Sequence, residues 1–145
     1  MEKSRVNIAI ENHKKGYNCC QAVVCAYADL VGIDEKTAFK ISEIFGTGIA
    51  GMAQTCGSVS AMLIIASLKS SDGNLEESRS RINTYKLGKN LAEEFKKMNS
   101  SIICSELRGD KGTEKLRSCR GCVIDSAILI EKMIFPGKFE EYIEE

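Results

Sequence analysis

Four of the seven cysteines in this sequence stand where a helix is expected to begin. Three directly follow a residue that caps helices well, and the fourth falls within a predicted first turn. These cysteines are Cys19, Cys56, Cys119 and, in the first turn, Cys104. The start of a helix has unpaired N–H groups and the positive end of the helix dipole, which favour an anion. A thiolate is such an anion, and it is the form of cysteine that reacts and binds metals. The sequence therefore predicts a pocket of thiolates where these helix starts converge.

The pair Cys119 and Cys122 provides a second signal. The two residues are spaced as C-R-G-C at a predicted helix start, so both side chains lie on one helix face, which continues through apolar residues and points inward. We therefore predict that Cys122 is a resolving partner for the reactive thiols. Cys20 and Cys25 are predicted to be structural instead, because cysteine often behaves as a small buried hydrophobic residue.

The elements that position the cysteines are predicted to be helices throughout. Apolar residues recur at spacings of three and four, no strand alternation is evident, and the single proline, Pro136, leaves nearly the whole chain free for helices. The predicted helices cover 4–15, 19–31, 34–45, 75–98 and 119–134, with one more starting at Cys56 and a short one containing Cys104. We expect an all-α fold, a compact bundle of five or six helices with cysteines at helix N-termini. It would form a single domain over 1–145, with a frayed tail at 137–145.

The turn at 46–51 reads G-T-G-I-A-G and matches the GxGxxG pattern of dinucleotide-binding proteins. That pattern requires a strand before the first glycine, whereas a capped helical pattern precedes this one. We therefore interpret the turn as a flexible segment that delivers Cys56, with backbone amides facing the site. Gly46, Gly48 and Gly57 are predicted to neighbour a bound anion or cofactor. Gly88 lies inside the longest predicted helix, where we attribute it to close approach of another helix.

The composition argues against several classes of protein. Lysine and arginine balance aspartate and glutamate, and this net charge of zero disfavours a general nucleic-acid binder. No apolar run approaches the ~20 residues of a membrane helix, and the N-terminus lacks a signal-peptide core, so we expect no membrane partner and a cytoplasmic location. An odd, unevenly spaced set of cysteines is untypical of a secreted disulfide scaffold. The single histidine, His13, is expected to be solvated, which disfavours a cysteine hydrolase.

Several segments resemble the C_GCAxxG_C_C family of redox-active proteins. The matching segments are Gly16-Tyr17-Asn18-Cys19, Gln21-Ala22-Val23, Thr55-Cys56-Gly57-Ser58-Val59-Ser60, Cys104-Ser105-Glu106-Leu107-Arg108-Gly109, and Cys119 followed by Val123 and Asp125. The family's four characteristic cysteines correspond to the four at predicted helix starts. Two positions depart from its pattern, because Ser58 replaces the family's alanine and Ala61 its closing glycine. The resemblance implies a helical domain of this length and a redox role, without a settled reaction.

The same resemblance bears on cofactors. A similar domain accompanies haem in split-Soret cytochromes c. Covalent c-type haem is not expected here, because Val123 follows Cys122 and the CxxCH attachment motif is therefore absent.

Three functions remain open at this point. The first is thiol–disulfide or electron-transfer chemistry through Cys19, Cys56, Cys104 and Cys119, with Cys122 as resolving partner. The second is a metal-binding module in which those first four cysteines hold an iron–sulfur cluster or, as the weaker candidate, zinc. The third is a structural helical domain with core cysteines. The sequence does not identify the redox partner, and a homodimer is compatible with it.

Overall fold

In the first half of the chain, side-chain caps fix the starts of two of the first three α-helices. The computed structural model describes residues 1–144. Its first three α-helices are α1 (Val6–Lys14), α2 (Cys19–Tyr27) and α3 (Glu35–Ser42), and short 3-10 turns extend α2 over Ala28–Val31 and α3 over Glu43–Phe45. The Asn18 side chain accepts a hydrogen bond from the backbone N–H of Gln21 at 2.9 Å, and the Gln21 side chain accepts one from the Asn18 N–H at 3.0 Å. This reciprocal capping box sets the start of α2 at the predicted residue.

Four more α-helices complete the fold. They are α4 (Gly57–Ser70), α5 (Arg81–Asn99), α6 (Cys104–Arg108) and α7 (Cys119–Leu129), with a 3-10 turn over Asp110–Gly112 and a π-helical turn over Ile130–Ile134 that continues α7. Within residues 1–144 no strand forms, and the only extended pairings are isolated bridges between Glu2 and Phe139 and between Thr55 and Ile103. The all-α prediction is confirmed, with seven α-helices instead of five or six. No helix in the same stretch has the length and apolar character needed to cross a membrane.

Helix α2 lies at the centre of the bundle, in contact with α1, α3, α4 and α7. Its sequence, CCQAVVCAY, is apolar on nearly every side, and a helix of that kind must be surrounded by other elements. Val23 and Val24 are fully buried there, and burial stabilises each valine side chain by about 1.5–3 kcal/mol. The Tyr27 hydroxyl donates a hydrogen bond to Glu131 at 2.6 Å, which joins the end of α2 to the π-helical turn.

The longest helix begins later than predicted. The expected helix over 75–98 starts only at Arg81, because the Asp72 carboxylate accepts hydrogen bonds from the backbone N–H groups of Asn74 and Arg79 and holds the preceding segment in a turn. Leu75 is consequently fully exposed.

The apolar stripe proposed for the longest helix is only partly internal. Leu91 and Phe95 are fully buried, whereas Ile82 and Tyr85 are exposed. At Gly88, an added Cβ would lie 3.1 Å from a methyl carbon of Leu63 on α4, in agreement with the expected close approach.

The prediction of a frayed tail over 137–145 is wrong for the first residues of that segment. Phe139 is buried in the core, and the backbone at 138–140 exchanges hydrogen bonds with Glu2: the Glu2 N–H donates to Lys138 at 2.9 Å, and the Glu140 N–H donates to Glu2 at 2.7 Å. Burial of the Phe139 aromatic ring holds this segment against the N-terminus. Glu145, the last residue of the predicted tail, lies outside the described residues.

Candidate active site with five cysteines

The starts of four helices converge on one place. Cys19, Cys104 and Cys119 occupy the first positions of α2, α6 and α7, and Cys56 is the N-cap residue of α4. All four cysteines predicted from helix-start signals therefore lie at helix starts.

The capping residues agree only in part with the prediction. As expected, Asn18 and Ser118 cap their helices, and the Ser118 hydroxyl accepts a hydrogen bond from the Gly121 N–H at 2.9 Å. Thr55 and Ser101 do not cap α4 and α6, whose N-cap residues are Cys56 and Ile103 and have no side-chain cap. The backbone N–H of Cys56 donates to Ile102 at 2.8 Å, and that of Cys104 donates to Gln54 at 2.6 Å. This short pairing of two backbones, and not a side-chain cap, positions the two cysteines.

A cavity of about 200 Å³ opens between these helix starts. We call it the cysteine cavity. Its lining residues are His13, Asn18, Cys19, Thr47, Cys56, Gly57, Cys104, Leu107, Arg108, Arg117, Cys119 and Cys122. The cavity therefore brings together all five cysteines predicted as site residues, although they come from four separate segments of the chain.

Cys19 and Cys119 form the first of two thiol pairs, the outer pair. The Cys119 thiol donates a hydrogen bond to the Cys19 sulfur, and the backbone N–H groups of Thr47 and Cys20 also point at this sulfur. Because these donors stabilise the thiolate, the pKa of Cys19 falls to about 6 despite burial. The pKa of Cys119 is raised, because its S–H group donates this hydrogen bond to the neighbouring thiolate. At neutral pH the outer pair thus contains one thiolate and one thiol.

Cys56 and Cys122 form the inner pair, arranged in the same way. The Cys122 thiol donates a hydrogen bond to the Cys56 sulfur, and the backbone N–H groups of Ser58 and Val59 in the first turn of α4 add to it. The pKa of Cys56 is lowered as a result, and that of Cys122 is raised, first by this hydrogen bond and then by burial. Both side chains of the inner pair are buried, whereas Cys119 of the outer pair is exposed.

Cys104 also lines the cavity, but it belongs to neither pair. Burial raises the pKa of its thiol, and the nearby Arg108 guanidinium opposes this effect only in part. The chemistry of Cys104 therefore differs from that of Cys19, although both residues begin a helix.

The glycine turn contributes a backbone amide to the cavity. Thr47 has a φ of 50°, a left-handed conformation that is uncommon for a residue with a branched side chain, and its N–H points at the Cys19 sulfur. A helix and a 3-10 turn precede this segment, so the strand that a dinucleotide site requires is missing within the described chain.

Of the three glycines predicted as cofactor neighbours, only Gly57 lines the cavity. A Cβ at Gly57 would collide with the Cys19 sulfur and lie 2.9 Å from the Phe45 carbonyl oxygen. At Gly48, which has a φ of 69°, it would lie 2.7 Å from the Cys104 Cβ, so this glycine permits close packing of the loop. Gly46 packs against Asn18 instead, outside the cavity.

His13 lies in the cavity, and the expectation that it is solvated is wrong. Its Nε2 atom is 3.7 Å from the Cys119 Sγ, and its Nδ1 atom accepts a hydrogen bond from the Arg120 Nε at 3.3 Å. Partial burial and the Arg120 charge both lower the pKa of His13. The sequence does contain a signal for this placement, because His13 continues the spacing of Val6 and Ala9, the buried face of α1.

Arg117 is a second cavity residue that sequence reasoning missed. Its guanidinium makes two hydrogen bonds to the Asp125 carboxylate, at 3.0 and 3.1 Å, and Asn99 donates a third at 3.1 Å. Asp125 is buried, so this charged partner is held in place beneath the cavity wall. Arg117 and Arg108 thus place two cationic groups on the wall of a cavity that contains thiolates.

Cys20 and Cys25 lie outside the cysteine cavity. Burial raises the pKa of Cys20, and burial together with Glu35 raises that of Cys25 to about 11. Both residues are therefore thiols at neutral pH, as their predicted structural role requires.

The paired geometry is a poor fit to a metal centre. In the part of the chain that the structure describes, no group of three or more His, Cys, Asp or Glu side chains could hold a metal ion. The cavity cysteines are instead arranged as two pairs, with Cys119 beside Cys19 and Cys122 beside Cys56.

Comparison with known proteins identifies the family of this chain. No curated protein and no solved structure matches the chain. The family model described as "Putative redox-active protein (C_GCAxxG_C_C)" matches residues 17–133, a span that contains all five cavity cysteines. The chain therefore belongs to the C_GCAxxG_C_C family of redox-active proteins.

Proposed function

We propose that this protein carries out dithiol–disulfide exchange at the outer pair, with Cys19 as the nucleophile and Cys119 as the resolving thiol. The observation that carries the proposal is the convergence of Cys19 and Cys119, at the starts of α2 and α7, on one cavity, where the Cys119 thiol lowers the pKa of Cys19. It places a reactive thiolate next to the thiol with which it would form a disulfide. The substrate class is a disulfide, in a small molecule or in a redox partner protein, and a reducing cytoplasm is the compartment that fits.

The reaction takes place in two exchange steps. In the first, the Cys19 thiolate attacks a substrate disulfide, so that a mixed disulfide forms on Cys19 and one substrate thiolate leaves. In the second, Cys119 gives up its proton to that departing thiolate and attacks the Cys19 sulfur. A Cys19–Cys119 disulfide forms and the second substrate thiolate leaves. Two electrons pass from the protein to the substrate, and the reverse sequence would oxidise a dithiol.

His13 assists the second step in this scheme. Because its Nδ1 accepts the Arg120 hydrogen bond, the proton of the neutral imidazole lies on Nε2 and points toward Cys119. An N–H group in this position stabilises the Cys119 thiolate that forms when Cys119 gives up its proton. Arg117, fixed by Asp125, adds positive charge to the cavity wall in which both thiolates form.

The test begins with protein purified under anaerobic conditions. The visible spectrum, total metal and free thiols are measured first, and the protein is then equilibrated with reduced and oxidised dithiothreitol. We expect colourless, metal-free protein and a reversible Cys19–Cys119 disulfide identified by peptide mass spectrometry. Cys19→Ser and Cys119→Ser should each abolish this disulfide, whereas Cys25→Ser, outside the cavity, should leave it unchanged.

Two results would contradict the proposal. Stoichiometric iron with sulfur-to-iron charge-transfer absorbance, or stoichiometric zinc, would make the protein a metal-binding module. Thiols that remain inert until the protein unfolds would make it a structural domain with core cysteines. Cys25 is a half-buried thiol outside the cavity, so its reactivity serves as the internal reference for the thiol measurement.

A further inference from the structure

The two thiol pairs differ in their access to solvent. Cys119 of the outer pair is exposed, whereas Cys19, Cys56 and Cys122 are only 6%, 5% and 2% exposed. A substrate disulfide coming from solvent therefore meets the cavity at the outer pair, beside Cys119, before it can reach the inner pair. The inner pair nevertheless places the Cys122 thiol beside the Cys56 sulfur in the same cavity and lowers the pKa of Cys56, which is the arrangement of a redox couple.

Helix α7 connects the two pairs. It supplies Cys119 to the outer pair and Cys122 to the inner pair, and these residues are three positions apart at the helix start. Side chains at this spacing lie on one helix face, with Cβ atoms about 5–6 Å apart. Both line the same cavity. A sulfur of each pair is therefore a neighbour of a sulfur of the other.

We propose that the inner pair is a second redox couple, which the outer disulfide oxidises through exchange between Cys122 and Cys119. This inference rests on the proposed function, because the outer disulfide must form before it can be passed inward. The external oxidant is the disulfide substrate of the outer pair, and no other reagent is required.

The transfer consists of two exchanges. First, the Cys122 proton moves along its hydrogen bond to Cys56, and the Cys122 thiolate attacks the Cys119 sulfur. The Cys19–Cys119 bond breaks, a Cys119–Cys122 bond forms, and Cys19 leaves as a thiolate. Cys56 then gives up the proton and attacks Cys122. The Cys119–Cys122 bond breaks, a Cys56–Cys122 bond forms, and Cys119 leaves and takes the proton.

The electrons and protons of this sequence balance. An inner pair that reacts as the Cys56 thiolate and the Cys122 thiol loses two electrons and one proton when its disulfide forms. The outer pair gains those two electrons and that proton, and it returns to its original state of one thiolate and one thiol. It can then react with a second substrate disulfide. The fully reduced protein would thus deliver four electrons in two rounds.

The experiment follows the disulfides over time in the intact, fully reduced protein. One equivalent of a small symmetric disulfide is added under anaerobic conditions, samples are quenched with acid, and unreacted thiols are alkylated. Peptide mass spectrometry then identifies each disulfide. We expect Cys19–Cys119 to form first and to decay as Cys56–Cys122 appears, with a second equivalent producing both disulfides.

Variants separate the relay from direct oxidation of the inner pair. Cys122→Ser and Cys56→Ser should stop at the outer disulfide and take up one equivalent instead of two. Cys119→Ser should slow formation of the inner disulfide by about tenfold or more, because it removes the intramolecular donor. Cys25→Ser is the matched control, and circular dichroism establishes that each variant is folded.

The outcomes distinguish the relay from the function on which it rests. If the outer disulfide forms and persists while the inner one never appears, the relay is wrong and the proposed function stands. If the inner disulfide forms in Cys119→Ser as fast as in the wild type, the inner pair reacts directly and the relay is again wrong. If no outer disulfide forms, both proposals fail. The wild-type time course decides the first and third cases without any variant.

Discussion

The Nε2 atom of His13 lies 3.7 Å from the Sγ of Cys119, although the two residues are 106 positions apart in the chain. Contact between α1 and α7 creates this proximity. The imidazole is half-buried, and its Nδ1 atom accepts a hydrogen bond from Arg120. This hydrogen bond fixes the orientation of the ring, with Nε2 toward the sulfur. The only histidine of the sequence is therefore part of the thiol site.

His13→Ala should slow the second exchange step and leave the first unchanged. Loss of the N–H donor removes about 1 kcal/mol of stabilisation from the Cys119 thiolate, which corresponds to about a fivefold lower rate. Stopped-flow measurement of the formation and decay of the Cys19 mixed disulfide separates the two steps. Lys14→Ala, on the exposed side of α1, is the control. Equal slowing of both steps would contradict the assigned role of His13.

The reactivity of Cys19 should follow an apparent pKa of about 6. Only the thiolate reacts, so the alkylation rate should be low below this pH, rise through it and be nearly constant well before an ordinary thiol ionises. Cys119→Ala removes the largest cause of the shift, and the midpoint of the profile should move to higher pH. Cys119→Ser keeps a hydroxyl donor and should have a smaller effect. An unchanged midpoint in Cys119→Ala would refute the hydrogen bond as the cause.

Gly57→Ala should be more harmful than Gly88→Ala. At Gly57 the new methyl group would meet the Cys19 sulfur and the Phe45 carbonyl, and overpacking of this kind costs about 1–3 kcal/mol. At Gly88 the nearest atom is the end of a flexible leucine side chain, while alanine improves helix propensity by about 1 kcal/mol. Urea denaturation gives both free energies of unfolding. A Gly57→Ala variant as stable as the wild type would contradict the close packing described.

The start and the middle of α5 should respond differently to side-chain truncation. Leu91→Ala removes a fully buried side chain and should cost about 2–5 kcal/mol, whereas Ile82→Ala at a side chain that is 83% exposed should cost less than about 0.5 kcal/mol. Thermal and urea unfolding measure both. Similar costs for the two substitutions would contradict the exposed position of Ile82 and favour the apolar stripe that the sequence predicts.

Local signals predicted the starts of α2 and α7, because the capping interactions of Asn18 and Ser118 involve residues only three positions away. They failed at Thr55 and Ser101, where pairing of the 53–56 and 102–105 backbones overrides the side-chain preference. They failed at His13 because its burial depends on how α1 packs against α7. Contacts between distant segments leave no local pattern in the sequence, and the pairing of Cys19 with Cys119 is one of them.

The backbone bridge between Thr55 and Ile103 has a consequence for how the protein acquires its activity. It joins segments separated by about a third of the chain, and such contacts form late because loop closure must be achieved before they contribute stability. Until this bridge forms, the cavity lacks Cys56 and Cys104 in their final positions, and until the whole cavity is folded Cys19 lacks the amide and thiol donors that lower its pKa. Reaction of Cys19 at mildly acidic pH would therefore report completed folding, and refolding under reducing conditions would protect the nascent chain from mispaired disulfides.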